Sequence, residues 1–132
     1  MQQIDADSIR VIIDTNALMA AEQFGVDIFG ELMRLGYVEW IVPAQVRGEL
    51  LSIAERAKKG RDRTAARVAL GLAGQCKVVG IDNCPADQAI VDLAEKEGAA
   101  VFTNDRALKK RLFSKGITVI YLRQGRYLEA MK

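Results

Sequence analysis

Short apolar runs alternate along the chain with longer segments whose apolar residues recur at helical spacing. The uninterrupted runs predict strands over 11–13, 37–42, 77–81, 99–103 and 117–122. The segments between them have apolar residues three or four positions apart and predict helices over about 27–35, 44–57, 62–72, 86–97 and 106–114. Strands that alternate with helices in this way predict an α/β domain on a mainly parallel sheet of about five strands.

The first strand ends on a carboxylate, and this defines the point around which the chain is organised. Val11, Ile12 and Ile13 form a continuous apolar run, as a central strand covered on both faces requires, and Asp14 follows directly. Open α/β sheets bind ligands at the carboxyl ends of their strands, so Asp14 is a candidate ligand-binding residue. It is equally consistent with the N-cap of a following helix.

Three further acids share this position relative to a predicted strand. Each lies just after a strand or in the helix that follows one, and together with Asp14 they are Glu49, Asp87 and Asp105. Because parallel strands end at one edge of a sheet, we expect the four carboxylates to converge. Four clustered negative charges need neutralising cations, and carboxylate oxygens suit Mg²⁺ or Mn²⁺. Taken singly, Asp87 and Asp105 are also ordinary acids of a helix N-terminus.

Short polar residues flank two of these acids. Thr15 and Asn16 follow Asp14, and Thr103 and Asn104 precede Asp105. Such side chains orient carboxylates or bind phosphate oxygens, and they serve equally well as caps and turns, so both roles stay open for each of the four.

Composition narrows the chemistry further. The chain has no histidine, which excludes a histidine general base and leaves carboxylates as the main catalytic material. Its two cysteines, Cys76 and Cys84, are too few for a disulfide framework and lack zinc-ligand spacing. The net charge of +2 conceals an acidic half, with nine acids and three bases in 1–55, and a basic half, with eight acids and sixteen bases in 56–132. The basic half favours a nucleic-acid partner, although solvated helix faces produce the same pattern.

Length and hydropathy predict one domain. At 132 residues the chain is long enough to bury a core without disulfides, and we expect a single domain over 1–132 with a short basic C-terminal tail from about 123. No apolar run approaches the roughly 18 residues of a membrane span, and Met1 to Ser8 contains no basic residue, so it is not predicted to be a signal peptide. We therefore expect a cytoplasmic protein without a membrane partner.

Four segments, taken in order, resemble the PIN domain family. They are Ile12-Ile13-Asp14-Thr15-Asn16, Val42-Pro43-Ala44-Gln45-Val46 leading to Glu49-Leu50, Ala86-Asp87-Gln88-Ala89-Ile90, and Val101-Phe102-Thr103-Asn104-Asp105. Each segment alone is weak, but the ordered set is specific and covers nearly the whole chain. The resemblance implies a three-layer α/β/α sandwich, metal-dependent endoribonuclease activity on single-stranded RNA, and frequent homodimerisation. It assigns the catalytic metal site to the same four acids.

Under this hypothesis, Mg²⁺ or Mn²⁺ held by the acids activates water for attack on the scissile phosphate, and basic side chains hold the RNA backbone. The candidate RNA-binding residues are Lys58, Lys59, Arg61, Arg63, Arg106, Lys109 and Lys110. Tyr127 and Tyr121 are candidates for base stacking, and core packing is favoured for Tyr121.

Within the family, Gly25-Val26-Asp27-Ile28-Phe29 and the segment 116–124 are similar to archaeal single-domain PIN proteins allied to nucleases of small-subunit rRNA processing. VapC-type toxins share the acids but commonly carry another acid soon after the last one. Here Arg106, Ala107, Leu108 and Lys109 follow Asp105. The absence of a further acid favours a role in RNA maturation. For that role the candidate partner is a ribosome-assembly factor, and for a toxin it is an antitoxin. A non-catalytic RNA-binding assembly factor with the same fold is the remaining alternative.

Overall fold

A computed structural model describes residues 9–80 and 83–131. The segment from Met1 to Ser8, which is not predicted to be a signal peptide, lies outside these residues, as does the end of the predicted strand at Ile81. Six strands are present in the described chain, namely β1 Arg10–Ile13, β2 Glu39–Pro43, β3 Lys77–Val79, β4 Ala100–Phe102, β5 Val119–Arg123 and β6 Tyr127–Met131. Six helices accompany them, namely α1 Thr15–Phe24, α2 Ile28–Arg34, α3 Ala44–Arg56, α4 Gly60–Ala73, α5 Ala86–Glu97 and α6 Arg106–Ser114.

The strands form one sheet in the order β3-β2-β1-β4-β5-β6. All neighbours are parallel except β5 and β6, which pair antiparallel. The chain builds outward from β1 in one direction through β2 and β3 and in the other through β4 and β5, so the strand order reverses between β1 and β4. In open α/β sheets the crevice outside such a switch point is the usual ligand site.

Helices cover both faces of the sheet, which confirms the predicted three-layer α/β/α sandwich. Successive residues of a strand point to opposite faces, and Val11, Ile12 and Ile13 are all fully buried. β1 is therefore the central strand that its continuous apolar run predicts. In α3 the apolar stripe faces inward through Val46 and Leu50, which are also fully buried.

Three local features differ from the sequence prediction. Helix α1 was not predicted, because its apolar residues from Ala17 to Ala21 form a continuous run and do not show helical spacing. The break between α3 and α4 lies at 57–59, just before Gly60. The segment described from sequence as a basic tail contains β6, which makes a sixth strand.

Helix α2 fixes β6 at the edge of the sheet. The Glu31 carboxylate accepts from the Leu128 backbone N–H at 3.0 Å, and Arg34 donates to the Leu128 carbonyl at 2.7 Å. Arg34 also pairs with Glu31 at 3.0 Å. These side chains satisfy backbone groups that an edge strand otherwise exposes to another chain.

Cys76 and Cys84 both carry free thiols. Both thiols are half-buried, and burial raises the pKa of Cys76 to about 12, which disfavours its thiolate at neutral pH. No helix in the described part of the chain is long and apolar enough to cross a membrane.

Candidate active site

The four acids singled out from the sequence line a single pocket at the carboxyl edge of the sheet. The pocket has a volume of about 390 Å³, and its lining residues are Asp14, Thr15, Asn16, Glu49, Ser52, Ile53, Asp87 and Asp105. Asp14 directly follows β1, whereas the other three acids belong to α3, α5 and the start of α6. The expected convergence of strand-end carboxylates is therefore observed.

Asp14 forms the floor of the pocket. Its backbone N–H donates to the Phe102 carbonyl at 3.0 Å, which places the residue between β1 and β4 at the switch point of the sheet. The side chain is only 6% exposed. One carboxylate oxygen accepts from the Thr15 backbone N–H at 2.8 Å, and the other accepts from the Thr103 hydroxyl at 2.8 Å. Asp14 is thus an N-cap of α1 and a pocket residue at once.

Burial raises the pKa of Asp14 above its ordinary value. The hydrogen bonds from Thr103 and Thr15 oppose this rise, while the negative charges of Asp87 and Glu49 add to it. The folded protein therefore holds this carboxylate in an electrostatically unfavourable place, which a cation in the pocket would relieve.

Two threonines connect three of the four acids. The Thr15 hydroxyl donates to Glu49 at 2.5 Å, linking the first turn of α1 to α3. The fully buried Thr103 donates to Asp14 and accepts from the Asp105 backbone N–H at 3.0 Å. Both threonines thus orient carboxylates or their backbone, one of the two roles that the sequence leaves open.

The remaining acids differ in how firmly they are held. Asp105 caps α6 by accepting from the Leu108 backbone N–H at 2.8 Å. Asp87 lies in the first turn of α5 and is exposed, and no described residue gives its carboxylate a hydrogen bond or an ion pair. Asp105 therefore combines the cap and the pocket position, whereas Asp87 is positioned by its helix alone.

Asn16 and Asn104 have different surroundings. Asn16 is exposed and lines the pocket. Asn104 donates to the Leu122 carbonyl at 3.1 Å and accepts from the Leu122 backbone N–H at 2.9 Å, so its amide ties the β4–α6 connection to β5. Asn104 therefore holds the backbone of this connection, which is the second of the two roles that the sequence leaves open.

Ser52 and Ile53 also line the pocket but were not predicted to belong to it. Ser52 lies three residues after Glu49 in α3, a spacing that places both side chains on one side of the helix. That spacing is the signal by which the sequence could have identified it.

The basic residues proposed to hold RNA fall into two groups. Arg106 directly follows Asp105, and Lys109 and Lys110 belong to the same helix. The second group lies around the turn between α3 and α4. Arg56, the last residue of α3, is about 10 Å further along the helix axis than Glu49. These side chains are therefore more distant from the pocket than the start of α6.

Two basic candidates have partners within the fold. The Arg63 guanidinium donates to the Ala57 carbonyl at 2.7 Å and to the Lys58 carbonyl at 3.0 Å, which stabilises the end of α3. Lys109 lies over the ring of Tyr121 at 5.5 Å from its centroid. Tyr121 in turn donates to Glu129 at 2.7 Å, so it is tied into the β5–β6 pair, whereas Tyr127 is 37% exposed.

The donor set suits a hard divalent cation. The pocket offers carboxylate oxygens from four separate parts of the chain, and the charges of Asp87 and Glu49 act on the buried carboxylate of Asp14. Among the described residues, however, no group of three or more acidic or thiol side chains is already arranged to hold a metal ion. The residues therefore fit Mg²⁺ or Mn²⁺ by chemistry, with the carboxylates spread around the pocket wall.

A parallel sheet with acids at its switch point is the architecture of the PIN-like class. The family model described as a PIN like domain matches residues 11–125, and the chain belongs to this family. It is 33% identical over 115 residues to Ribonuclease VapC9 of Archaeoglobus fulgidus, covering 87% of this chain and 84% of that protein. It is 30% identical over 124 residues to Ribonuclease VapC4 of Methanocaldococcus jannaschii, covering 91% of this chain and 95% of that protein.

A solved structure of a PIN domain protein is also similar to this chain. The PIN domain endonuclease Utp24 superimposes with a TM-score of 0.74 at 25% identity, over 92% of this chain and 90% of that one.

Proposed function

We propose that this protein is a divalent-metal-dependent endoribonuclease that cleaves single-stranded RNA at the acidic pocket. The observation that carries the proposal is the meeting of four carboxylates from distant parts of the sequence in one pocket at the switch point of the sheet. The likeness to two ribonucleases and to a PIN domain endonuclease supports the same reaction.

The residues that would hold the metal are Asp14, Glu49, Asp87 and Asp105. When bound there, Mg²⁺ or Mn²⁺ supplies positive charge for the phosphate oxygens and makes a coordinated water more acidic. Two divalent ions would balance the four carboxylate charges.

The side chains of the pocket have distinct tasks in this proposal. Asp14 would be the most rigidly positioned metal ligand, because its carboxylate is buried and accepts two hydrogen bonds. Thr15 orients Glu49 towards the pocket. The chain contains no histidine, so a pocket carboxylate oxygen not engaged with the metal, or bulk water, would receive the proton of the attacking water.

The RNA backbone would approach along the basic start of α6. Arg106, Lys109 and Lys110 follow the pocket residue Asp105, and a strand lying there would meet positive charge immediately beside the acidic site. Lys58, Lys59 and Arg61 are exposed at the α3–α4 turn and would contact more distant phosphates. Binding should weaken steeply as salt rises, because each phosphate contact releases counterions.

The proposed biological role is RNA maturation, with an rRNA precursor as the candidate substrate. The resemblance of the sequence to nucleases of small-subunit rRNA processing and the basic residues after Asp105 favour this role. A second candidate is a VapC-type toxin, which the names of the two relatives favour. Induced expression in a bacterial host separates the two. Growth arrest by the wild type but not by Asp14→Asn supports a toxin, whereas normal growth with cleavage at a defined precursor site supports maturation.

The nuclease itself is tested with a labelled single-stranded RNA in the presence of Mn²⁺ or Mg²⁺. Cleavage by the wild type should stop on addition of a chelator and should be lost in Asp14→Asn. Absence of cleavage by the wild type, with RNA still bound, would support the non-catalytic assembly factor instead. Equal cleavage by both proteins would identify a contaminating nuclease.

A homodimer belongs to the same proposal, since the family resemblance implies one. Light scattering of the purified chain at several concentrations tests it, and a monomeric mass throughout would contradict it.

A further inference from the structure

The guanidinium of Arg111 in α6, like that of Arg63, is held by neutral oxygen acceptors. Arg10, Arg34 and Arg123 form ion pairs with carboxylates. The Arg111 guanidinium instead donates through Nη2 to Oε1 of Gln88 at 2.6 Å. Among the residues that the structure describes, no carboxylate forms an ion pair with Arg111. Its guanidinium is therefore positioned by a neutral amide, and its charge stays uncompensated.

Gln88 is itself oriented by the following turn of α5. Its amide nitrogen donates to Asp92 at 2.7 Å. A carboxylate accepts only and a guanidinium donates only, so the amide between them must present its nitrogen to Asp92 and its oxygen to Arg111. The amide thus fixes the arginine while separating it from the charge of Asp92.

The Gln88–Arg111 pair connects two helices that contribute to the acidic pocket. Gln88 directly follows Asp87 in the first turn of α5, and Arg111 belongs to the helix capped by Asp105. Arg111 lies six residues after Asp105, about 9 Å along the axis of α6, and neither Gln88 nor Arg111 lines the pocket. This position suits a phosphate next to the scissile one.

We infer that Arg111, anchored by Gln88, binds one backbone phosphate adjacent to the cleaved bond and so sets the register of the RNA in the pocket. The inference rests on the proposed function. A guanidinium has five N–H donors, and the contact with Gln88 leaves an edge for two parallel hydrogen bonds to phosphate oxygens. Because the hydrogen bond to Gln88 already holds the guanidinium, less conformational freedom is lost on binding.

The test measures binding of a fluorescein-labelled single-stranded RNA by anisotropy, in buffer with a chelator so that no cleavage occurs, at several salt concentrations. Arg111→Gln should weaken binding about threefold to tenfold at low salt. It should also reduce the slope of log affinity against log salt by about 0.7, the value for one phosphate on a single strand. Gln88→Ala keeps the charge but loses the anchor, so affinity should fall about twofold to threefold with the slope unchanged.

Lys96→Gln is the matched control, because it removes one positive charge at the opposite end of α5. It should change affinity less than twofold. The inference is overturned if Arg111→Gln binds as Lys96→Gln does, or if Gln88→Ala lowers the slope as much as Arg111→Gln. If the wild type binds no RNA, both the inference about Arg111 and the proposed function fail. If the wild type binds and cleaves while Arg111→Gln behaves as wild type, only the register contact is refuted.

Discussion

We expect Thr103 to contribute both to the stability of the fold and to the positions of two acids in the pocket. Its hydroxyl donates to Asp14 and accepts from the Asp105 backbone, and the residue is fully buried. Thr103→Val keeps the shape of the side chain and removes both hydrogen bonds. A bond to a charged group contributes about 1.5–3 kcal/mol and one between neutral groups about 1 kcal/mol. The added methyl group recovers part of this.

We therefore expect Thr103→Val to lower the free energy of unfolding by about 2–3 kcal/mol in urea titrations followed by circular dichroism. A domain of this kind is usually stable by about 5–15 kcal/mol, so the variant should remain folded. Loss of a hydrogen bond that orients a metal-binding carboxylate typically costs about 10–100-fold in activity. RNA cleavage should fall by that factor.

Thr103→Ser is the matched control because it retains the hydroxyl. It should cleave RNA within about threefold of the wild-type rate and lose about 1 kcal/mol of stability from the missing methyl group. If the valine and serine variants unfold at the same urea concentration and cleave RNA equally well, Thr103 does not position Asp14 and the reasoning is refuted.

The remaining predictions concern single side chains. Asp14→Asn should abolish cleavage. Because the pKa of Asp14 is raised in the folded state, the metal-free wild type should become less stable as pH rises from about 4, and this variant should lose that dependence in urea titrations. Thr15→Val should slow cleavage about tenfold by releasing Glu49, with Thr15→Ser near wild type in the same assay. Gly125→Ala should lower the melting temperature, since φ is +65° and a Cβ would lie 2.9 Å from the Phe24 ring; an unchanged value would contradict this.

Much of the candidate site could be predicted because a parallel sheet brings strand ends together. The sequence shows where each apolar run stops, and Asp14, Glu49, Asp87 and Asp105 follow those stops. Their shared pocket follows from topology alone. Ser52 was missed because neither a strand end nor an acidic side chain marks it.

The sequence could not decide between capping and site roles for the short polar residues. Thr103 and Asn104 are neighbours of similar size and polarity, yet one hydroxyl bridges two acids and the other side chain binds the backbone of β5. Both side chains can donate and accept hydrogen bonds. Only the packing of β1, β4 and β5 decides which partner each side chain meets.

Hydrophobic periodicity and strand ends are local properties, so they were enough to predict the alternation of strands and helices, the buried central strand and the four acids. The tertiary structure decided how those acids are held. Helix α1 and the edge strand β6 gain their stability from distant partners, as when Glu31 and Arg34 bind Leu128. Likewise, Asp14 is both a helix cap and a buried pocket acid because β4 brings Thr103 beside it, a contact between residues 89 positions apart.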